Sequence, residues 1–149
     1  MTLRSANIHP RKLGTHLMLI PLLAASLMVQ PAAASDTLVL EGRCEYPEAV
    51  RQRQFETVLA ICNQLTIARE DGEMVITFGP RGLGPTMIFS GKADGNRMEV
   101  QQVTLRRGDI ESAEGTCEIF YTDGEISVVS CLASSLGRSW AGNFVNNRI

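Results

Sequence analysis

Carboxylates are the residues of this sequence best suited to carry out chemistry, because other catalytic groups are scarce in it. Four glutamates, Glu111, Glu114, Glu118 and Glu125, lie close together in its last third. A pair of carboxylates that flanks a cleft can hydrolyse a glycosidic bond by acid–base catalysis. On strands and turns such residues more often form a solvated surface. A carboxylate-dependent enzyme is therefore the least favoured of the functions considered below.

The first 34 residues have the three parts of a cleavable secretory signal peptide. A basic region without acidic residues precedes an apolar run over 17–29, and small residues follow at 32–34. We predict cleavage between Ala34 and Ser35. The remaining chain, 35–149, has the length of one domain.

A membrane anchor is the alternative interpretation of the same segment. A helix that spans a bilayer needs about 20 consecutive apolar residues, whereas this run is shorter and is interrupted by Pro21. We therefore expect no stable membrane anchor after cleavage. No cysteine stands directly after the run, where a lipoprotein would carry its lipid. We therefore expect a periplasmic or secreted protein rather than a lipoprotein.

Cleavage removes residues that many functions require. Both histidines, His9 and His16, are lost with the signal peptide, and so are three of the fourteen basic residues. A Ser-His-Asp or Cys-His system and a histidine-ligated metal site then cannot be built. The remaining chain has a net charge of −5 and no basic block. Because nucleic-acid binding needs clustered Lys and Arg, we expect no nucleic-acid partner. We also expect no cofactor and no metal.

Four cysteines remain in an exported chain, where the compartment is oxidising and favours disulfides. We favour Cys44–Cys62 and Cys117–Cys131 among the three possible connectivities. Asp123-Gly124 is a hairpin turn signal that places residues near 117 opposite residues near 131, whereas the first pair is favoured only because its members are close in sequence.

Two further residues are candidates for partner contact. The segment 79–85 contains three glycines and two prolines around Arg81. A phosphate-binding loop would need a following helix, and the next residues indicate a strand, so we interpret the segment as a stiff connector with Arg81 at its tip. Trp140 shares a strand face with Phe144, which predicts core packing or, alternatively, a stacking platform for a ligand.

The elements that position these residues are predicted to be strands. Asp-Gly and other glycine-centred turns recur between short runs rich in Val, Ile, Thr, Phe and Met, the pattern of an all-β domain. A change of apolar parity at Gln101-Gln102 predicts a β-bulge. The predicted strands are Thr37–Arg43, Thr57–Ala68, Glu73–Phe78, Thr86–Gly91, Arg97–Leu105, Gly115–Thr122, Glu125–Leu132 and Ser139–Asn146.

Within the second of these strands, Leu59, Ile61, Leu65 and Ile67 are predicted to share one face, with Asn63 as an interruption. The residues before it, about 48–55, are predicted to form a short helix or an irregular crossover. We expect a small antiparallel β-barrel of about eight strands in a meander, with a two-sheet sandwich as the alternative.

We therefore expect an exported, disulfide-stapled, non-enzymatic binding protein. Its partner is another protein or a small molecule. The alternative is an inhibitor of an extracellular or periplasmic hydrolase, such as a lysozyme or a protease, with the stiff segment 79–85 as the inhibitory element.

Overall fold

Most of the described residues belong to β-strands. The computed structural model describes residues 36–53 and 55–148. The predicted signal peptide and its cleavage site at Ala34 and Ser35 lie outside them. The elements are β1 (Asp36–Cys44), α1 (Glu48–Arg51), β2 (Thr57–Leu59), β3 (Gln64–Glu70), β4 (Glu73–Gly79), β5 (Met87–Asp94), β6 (Arg97–Leu105), β7 (Ile110–Thr122), β8 (Glu125–Ser135) and β9 (Arg138–Asn146).

The strands form a closed antiparallel barrel of eight strands with one extra strand. From β3 to β9 each strand pairs with the next, and β1 closes the barrel by pairing with both β3 and β9. Turns with a positive φ at Asp71, Asp123 and Leu136 join successive strands, as the turn signals predicted. The barrel, rather than the sandwich, is therefore the architecture. Among the described residues no helix has the length and apolarity to cross a bilayer.

The predicted strand Thr57–Ala68 is wrong as a single element. The chain forms β2, which pairs in parallel with β9, then an irregular segment over 60–63, and then β3, which pairs with β1 and β4. β2 pairs with the first part of β9 and β1 with the last part, so the chain passes the end of β1 at 60–63 and continues on its other side as β3. The short helix predicted nearby is confirmed as α1.

The β-bulge predicted at Gln101-Gln102 is confirmed. Ser90 pairs with Gln102 and Gly91 pairs with Val100, so Gln101 has no partner on β5. The extra residue restores the inward direction of the apolar side chains, and both Val100 and Val103 are buried. Gly91 lies beside the bulge, where a side chain would collide with the backbone of Glu99.

Large side chains fill the barrel interior. Phe78 and Phe89 pack edge to face with ring centroids 5.7 Å apart. Gly142 leaves the space for one of them, because a Cβ at that position would lie 2.6 Å from the Phe78 ring. The largest fully buried side chains are Trp140, Phe78, Phe89, Phe144, Leu65, Met74, Ile76, Met87, Met98, Ile119, Val100 and Val103. Such packing leaves little room for a ligand inside the barrel.

Both disulfides connect the cysteines that the sequence favoured. Cys117 and Cys131 lie directly opposite each other on β7 and β8, and their bridge is buried in the core. Cys44 and Cys62 join the end of β1 to the segment that precedes β3. Two disulfides are compatible with an oxidising extracellular or periplasmic location.

Candidate functional site

Two adjacent segments, 60–63 and 80–86, form a joined structure at one end of the barrel, which we call the double loop. The backbone N–H of Arg81 donates a hydrogen bond of 2.7 Å to Oδ1 of Asn63. The hydroxyl of Thr86 lies 2.8 Å from the carbonyl oxygen of Ile61. The backbone N–H of Asn63 donates to the carbonyl oxygen of Gly79 at 3.2 Å. Two hydrogen bonds therefore join the two segments, and the third ties Asn63 to the end of β4.

Local sequence chemistry stiffens the second segment. Gly82 and Gly84 have φ values of 76° and 81°, a left-handed conformation that glycine adopts without steric cost. Pro80 and Pro85 restrict the backbone on either side. The segment folds back on its own strand, because a Cβ at Gly79 would lie 2.6 Å from the carbonyl oxygen of Gly84. The segment connects β4 and β5, as predicted, and a strand rather than a helix follows it.

The disulfide between Cys44 and Cys62 anchors the first segment. Cys62 is buried, and its carbonyl oxygen accepts a hydrogen bond of 2.9 Å from the backbone N–H of Cys44. The covalent bridge and this hydrogen bond fix residues 60–63 to the end of β1. Both halves of the double loop are therefore held by bonds to the barrel, so the site is largely preorganised.

The double loop presents two large apolar side chains to solvent. Ile61 is 74% exposed and Leu83 is 71% exposed. Ile61 was predicted on the same face as the core residues Leu65 and Ile67, and that prediction is wrong because the strand is broken at 60–63. The sequence signal for its exposure was Asn63, which interrupts the apolar alternation and supplies the hydrogen-bond acceptor for Arg81.

Arg81 lies on the double loop, as the sequence predicted, but its guanidinium faces the barrel wall. It forms an ion pair with the carboxylate of Glu41 on β1, and both side chains are half-exposed. Glu41 of β1 lies opposite Gln64 of β3, and Gln64 lies opposite Gly79 of β4. The ion pair between Arg81 and Glu41 therefore crosses the outer surface of β3. Arg81 therefore braces the loop, while Leu83 and Ile61 form its exposed surface.

Trp140, the second candidate for partner contact, lies in the core. Only 1% of its surface is exposed, and Phe144 on the same face of β9 is also buried. Its Nε1 has no hydrogen-bond partner among the described residues. The indole thus packs in the barrel, which corresponds to the core-packing interpretation, and it offers no surface to a partner in this conformation.

The four candidate carboxylates are distributed over the molecule. Glu118 forms an ion pair of 3.4 Å with Arg97, and Glu111 forms one of 3.8 Å with Arg138. Glu125 follows the β7–β8 turn at the opposite end of the barrel from Glu111. Glu114 lines an open groove of about 1280 Å³ together with Glu56 and Glu99, two acids that the sequence analysis did not single out.

The charges around the double loop nearly balance. The loops and strand ends at this end of the barrel, 79–86, 105–111 and 135–138, contain four basic and two acidic residues. Two of the basic residues, Arg81 and Arg138, form ion pairs with Glu41 and Glu111.

Comparison with family models, with curated proteins and with solved structures found no match for this chain. Among residues 36–53 and 55–148, no group of three His, Cys, Asp or Glu side chains is placed to hold a metal ion. The physical features of the double loop are accordingly the basis for the function proposed next.

Proposed function

We propose that this protein is an exported, non-enzymatic binding module that contacts a partner protein through the double loop. The observation that carries this proposal is the exposure of Ile61 and Leu83 on a segment held by three hydrogen bonds and a disulfide. A rigid loop with an apolar tip loses little conformational entropy on binding, which favours affinity. The filled barrel interior favours a partner at the surface over a small ligand inside.

The more specific alternative is inhibition of an extracellular or periplasmic hydrolase. A stiff loop that exposes Leu83 suits contact with the substrate cleft of such a hydrolase. The ion pair of Arg81 with Glu41 holds the loop against the outer wall of the barrel.

The test is site-specific photo-crosslinking in the exported compartment, followed by binding measurements with the purified partner. A photoreactive amino acid at position 83 is expected to form one dominant crosslinked product. Leu83→Ser and Ile61→Ser are each expected to weaken binding to that partner by at least tenfold, since buried apolar anchors dominate interface energetics. A panel of lysozymes and proteases then tests the hydrolase alternative directly.

Leu136→Ser is the matched control variant. Leu136 is a fully exposed leucine in the β8–β9 turn at the same end of the barrel, but it is not part of the double loop. The proposal predicts unchanged binding for this variant. Equal losses for Leu83→Ser and Leu136→Ser would contradict a specific role of the double loop, as would a partner that crosslinks only through other surfaces.

A further inference from the structure

Strand β1 has an unpaired edge at the end of the barrel opposite the double loop. It pairs with β3 along residues 36–41, but with β9 only at residues 42–44. The backbone N–H of Gly42 donates to Asn63 on the β3 side, while the carbonyl of Glu41 accepts from Asn147 on the β9 side. Successive residues of a strand direct their N–H and C=O groups to opposite sides. The groups of Thr37 and Val39 therefore point away from β3, like those of Glu41. Within residues 36–53 and 55–148 no strand pairs with them.

This edge lacks the features that usually prevent strands from pairing with other chains. Edge strands are commonly protected by lysines, prolines or bulges, whereas this edge consists of Thr37, Leu38, Val39 and Leu40. Leu38 is 42% exposed and Val39 is 53% exposed. An apolar, extended and unprotected edge is a template for an additional strand.

A concavity of about 390 Å³ lies next to the same edge, at the mouth of the barrel. Its apolar lining includes Leu38 of β1, Ile67 of β3, Ile119 of β7 and Ile126 of β8. Within the described residues, 36–53 and 55–148, no strand follows β9 between β1 and β8, because β9 ends at Asn146. A strand that continues the line of β9 would direct every second side chain inward over this concavity. Its volume has room for more than one aliphatic side chain.

The charge around the mouth indicates what the outward side chains of such a strand would be. The strand ends and turns at this end, residues 36, 69–73, 92–97, 122–125 and 147–148, carry seven acidic and four basic side chains. One of the basic residues, Arg97, already forms an ion pair with Glu118. The mouth therefore attracts a basic segment.

We propose that the edge of β1 accepts an extended segment of another protein as an additional antiparallel strand, and that this segment alternates aliphatic and basic residues. The aliphatic side chains enter the mouth of the barrel. The basic side chains point outward among the acidic turns. This surface and the double loop lie at opposite ends of the molecule, so the inference stands independently of the function proposed above.

Pairing geometry determines which amides of the segment are essential. Cross-strand partners share the same face of a sheet. The residues opposite Thr37 and Val39 therefore point outward and are the basic ones. Because Thr37 and Val39 direct their hydrogen bonds to the open edge, the amides of the basic residues face β1. The amides of the aliphatic residues point away from β1 and beyond the start of β8 at Glu125, so no strand of the protein receives their hydrogen bonds within the described residues.

The test uses the peptide acetyl-Arg-Val-Lys-Val-Arg-Val-amide, titrated into protein produced from the full chain. We expect the amide hydrogen exchange of Thr37 and Val39 to slow by at least tenfold at saturation. N-methylation of the Arg and Lys residues is expected to weaken binding by at least tenfold, whereas N-methylation of the Val residues changes it by less than threefold. The charge-reversed peptide acetyl-Glu-Val-Glu-Val-Glu-Val-amide is expected to bind at least tenfold more weakly.

Substitutions in the protein give a second measurement. Val39→Pro removes the N–H that faces the open edge and leaves the hydrogen bonds to β3, so it is expected to weaken peptide binding by at least tenfold. Val39→Thr retains that N–H and is the matched control. The N-methylated peptides test the proposal on the unaltered protein even if Val39→Pro fails to fold.

Four results would overturn the proposal. The first is exchange at Thr37 and Val39 that stays unchanged at millimolar peptide. The second is equal binding of the two N-methylated peptides, which would show that the contact is not a strand pairing. The third is a dimer in solution that Val39→Pro dissociates, which would identify a second copy of this chain as the occupant. Loss of peptide binding in Leu83→Ser would instead place the peptide on the double loop.

Discussion

Removing the two disulfides one at a time is the most informative perturbation of this fold. The variants are Cys44→Ala/Cys62→Ala and Cys117→Ala/Cys131→Ala. Their bridges span sequence separations of 18 and 14 residues. In the chain-entropy description, each bridge destabilises the unfolded chain by about 3 kcal/mol, and the difference in loop length changes this value by only ~0.2 kcal/mol. Loop entropy alone therefore predicts nearly equal losses.

The burial of the cysteine side chains is expected to make the two losses of stability unequal. Cys117 and Cys131 are both buried in the core, whereas Cys44 is only partly buried. Each sulfur removed from a packed core costs about 1 kcal/mol more, comparable to the loss of a methyl group. We expect a decrease in the free energy of unfolding of about 5 kcal/mol for Cys117→Ala/Cys131→Ala. For Cys44→Ala/Cys62→Ala, we expect a decrease of about 3 to 4 kcal/mol.

Urea denaturation of the oxidised protein and of both variants measures these losses. Amide hydrogen exchange adds a local measurement: loss of the Cys44–Cys62 bridge is expected to accelerate exchange at Arg81, because that bridge anchors the segment that holds the acceptor Asn63. Loss of the Cys117–Cys131 bridge should not accelerate exchange at Arg81 more than exchange elsewhere in the chain. A larger destabilisation from the Cys44–Cys62 variant, or unchanged exchange at Arg81 in it, would refute the reasoning.

The remaining predictions concern the core, the bulge and a tyrosine. Gly142→Ala should lower the free energy of unfolding by about 2 kcal/mol in urea, because its Cβ would displace the Phe78 ring. Deleting Gln101 removes the bulge but leaves Val100 and Val103 on the same face of a regular strand, so a cooperative thermal transition should remain. Burial raises the pKa of Tyr46 to about 12 from the ordinary value of 10.0. The unfolded chain therefore ionises first as the pH rises, and stability present below pH 10 should be lost between about pH 10 and 12. Allowing for partial solvent exposure, that loss is about 1 to 2 kcal/mol, and Tyr46→Phe should abolish this pH dependence in melts.

Local signals in the sequence were sufficient for the strands that are joined by tight turns. Asp-Gly turns fix φ through glycine and bring neighbouring strands into register, so the hairpin at Asp123-Gly124 and the bridge between Cys117 and Cys131 follow from residues close in sequence. The bulge at Gln101 followed in the same way, from a change in the parity of the apolar residues.

Contacts between distant parts of the chain were not predictable by the same means. The alternating residues from 57 to 68 resemble one strand, but β2 takes β9 as its neighbour and β3 takes β1 and β4. Nothing local encodes that choice, since it depends on how the barrel closes. The exposure of Ile61 has the same origin. For the candidate site, the stiffness of 79–85 was predictable from its glycines and prolines. Its attachment to Asn63 was not, because eighteen residues separate Asn63 from Arg81.

The pairing of β1 with β9 has a consequence for the order in which the chain can fold. Cys44 lies opposite Phe144, so barrel closure joins residues about a hundred positions apart, and such non-local pairing is intrinsically slow. A polypeptide that leaves the cytoplasm amino terminus first cannot complete this barrel until Arg138–Asn146 has emerged. For a protein exported as proposed here, late closure would keep the chain unfolded and competent for translocation, and would postpone the native state until the oxidising compartment can form its disulfides.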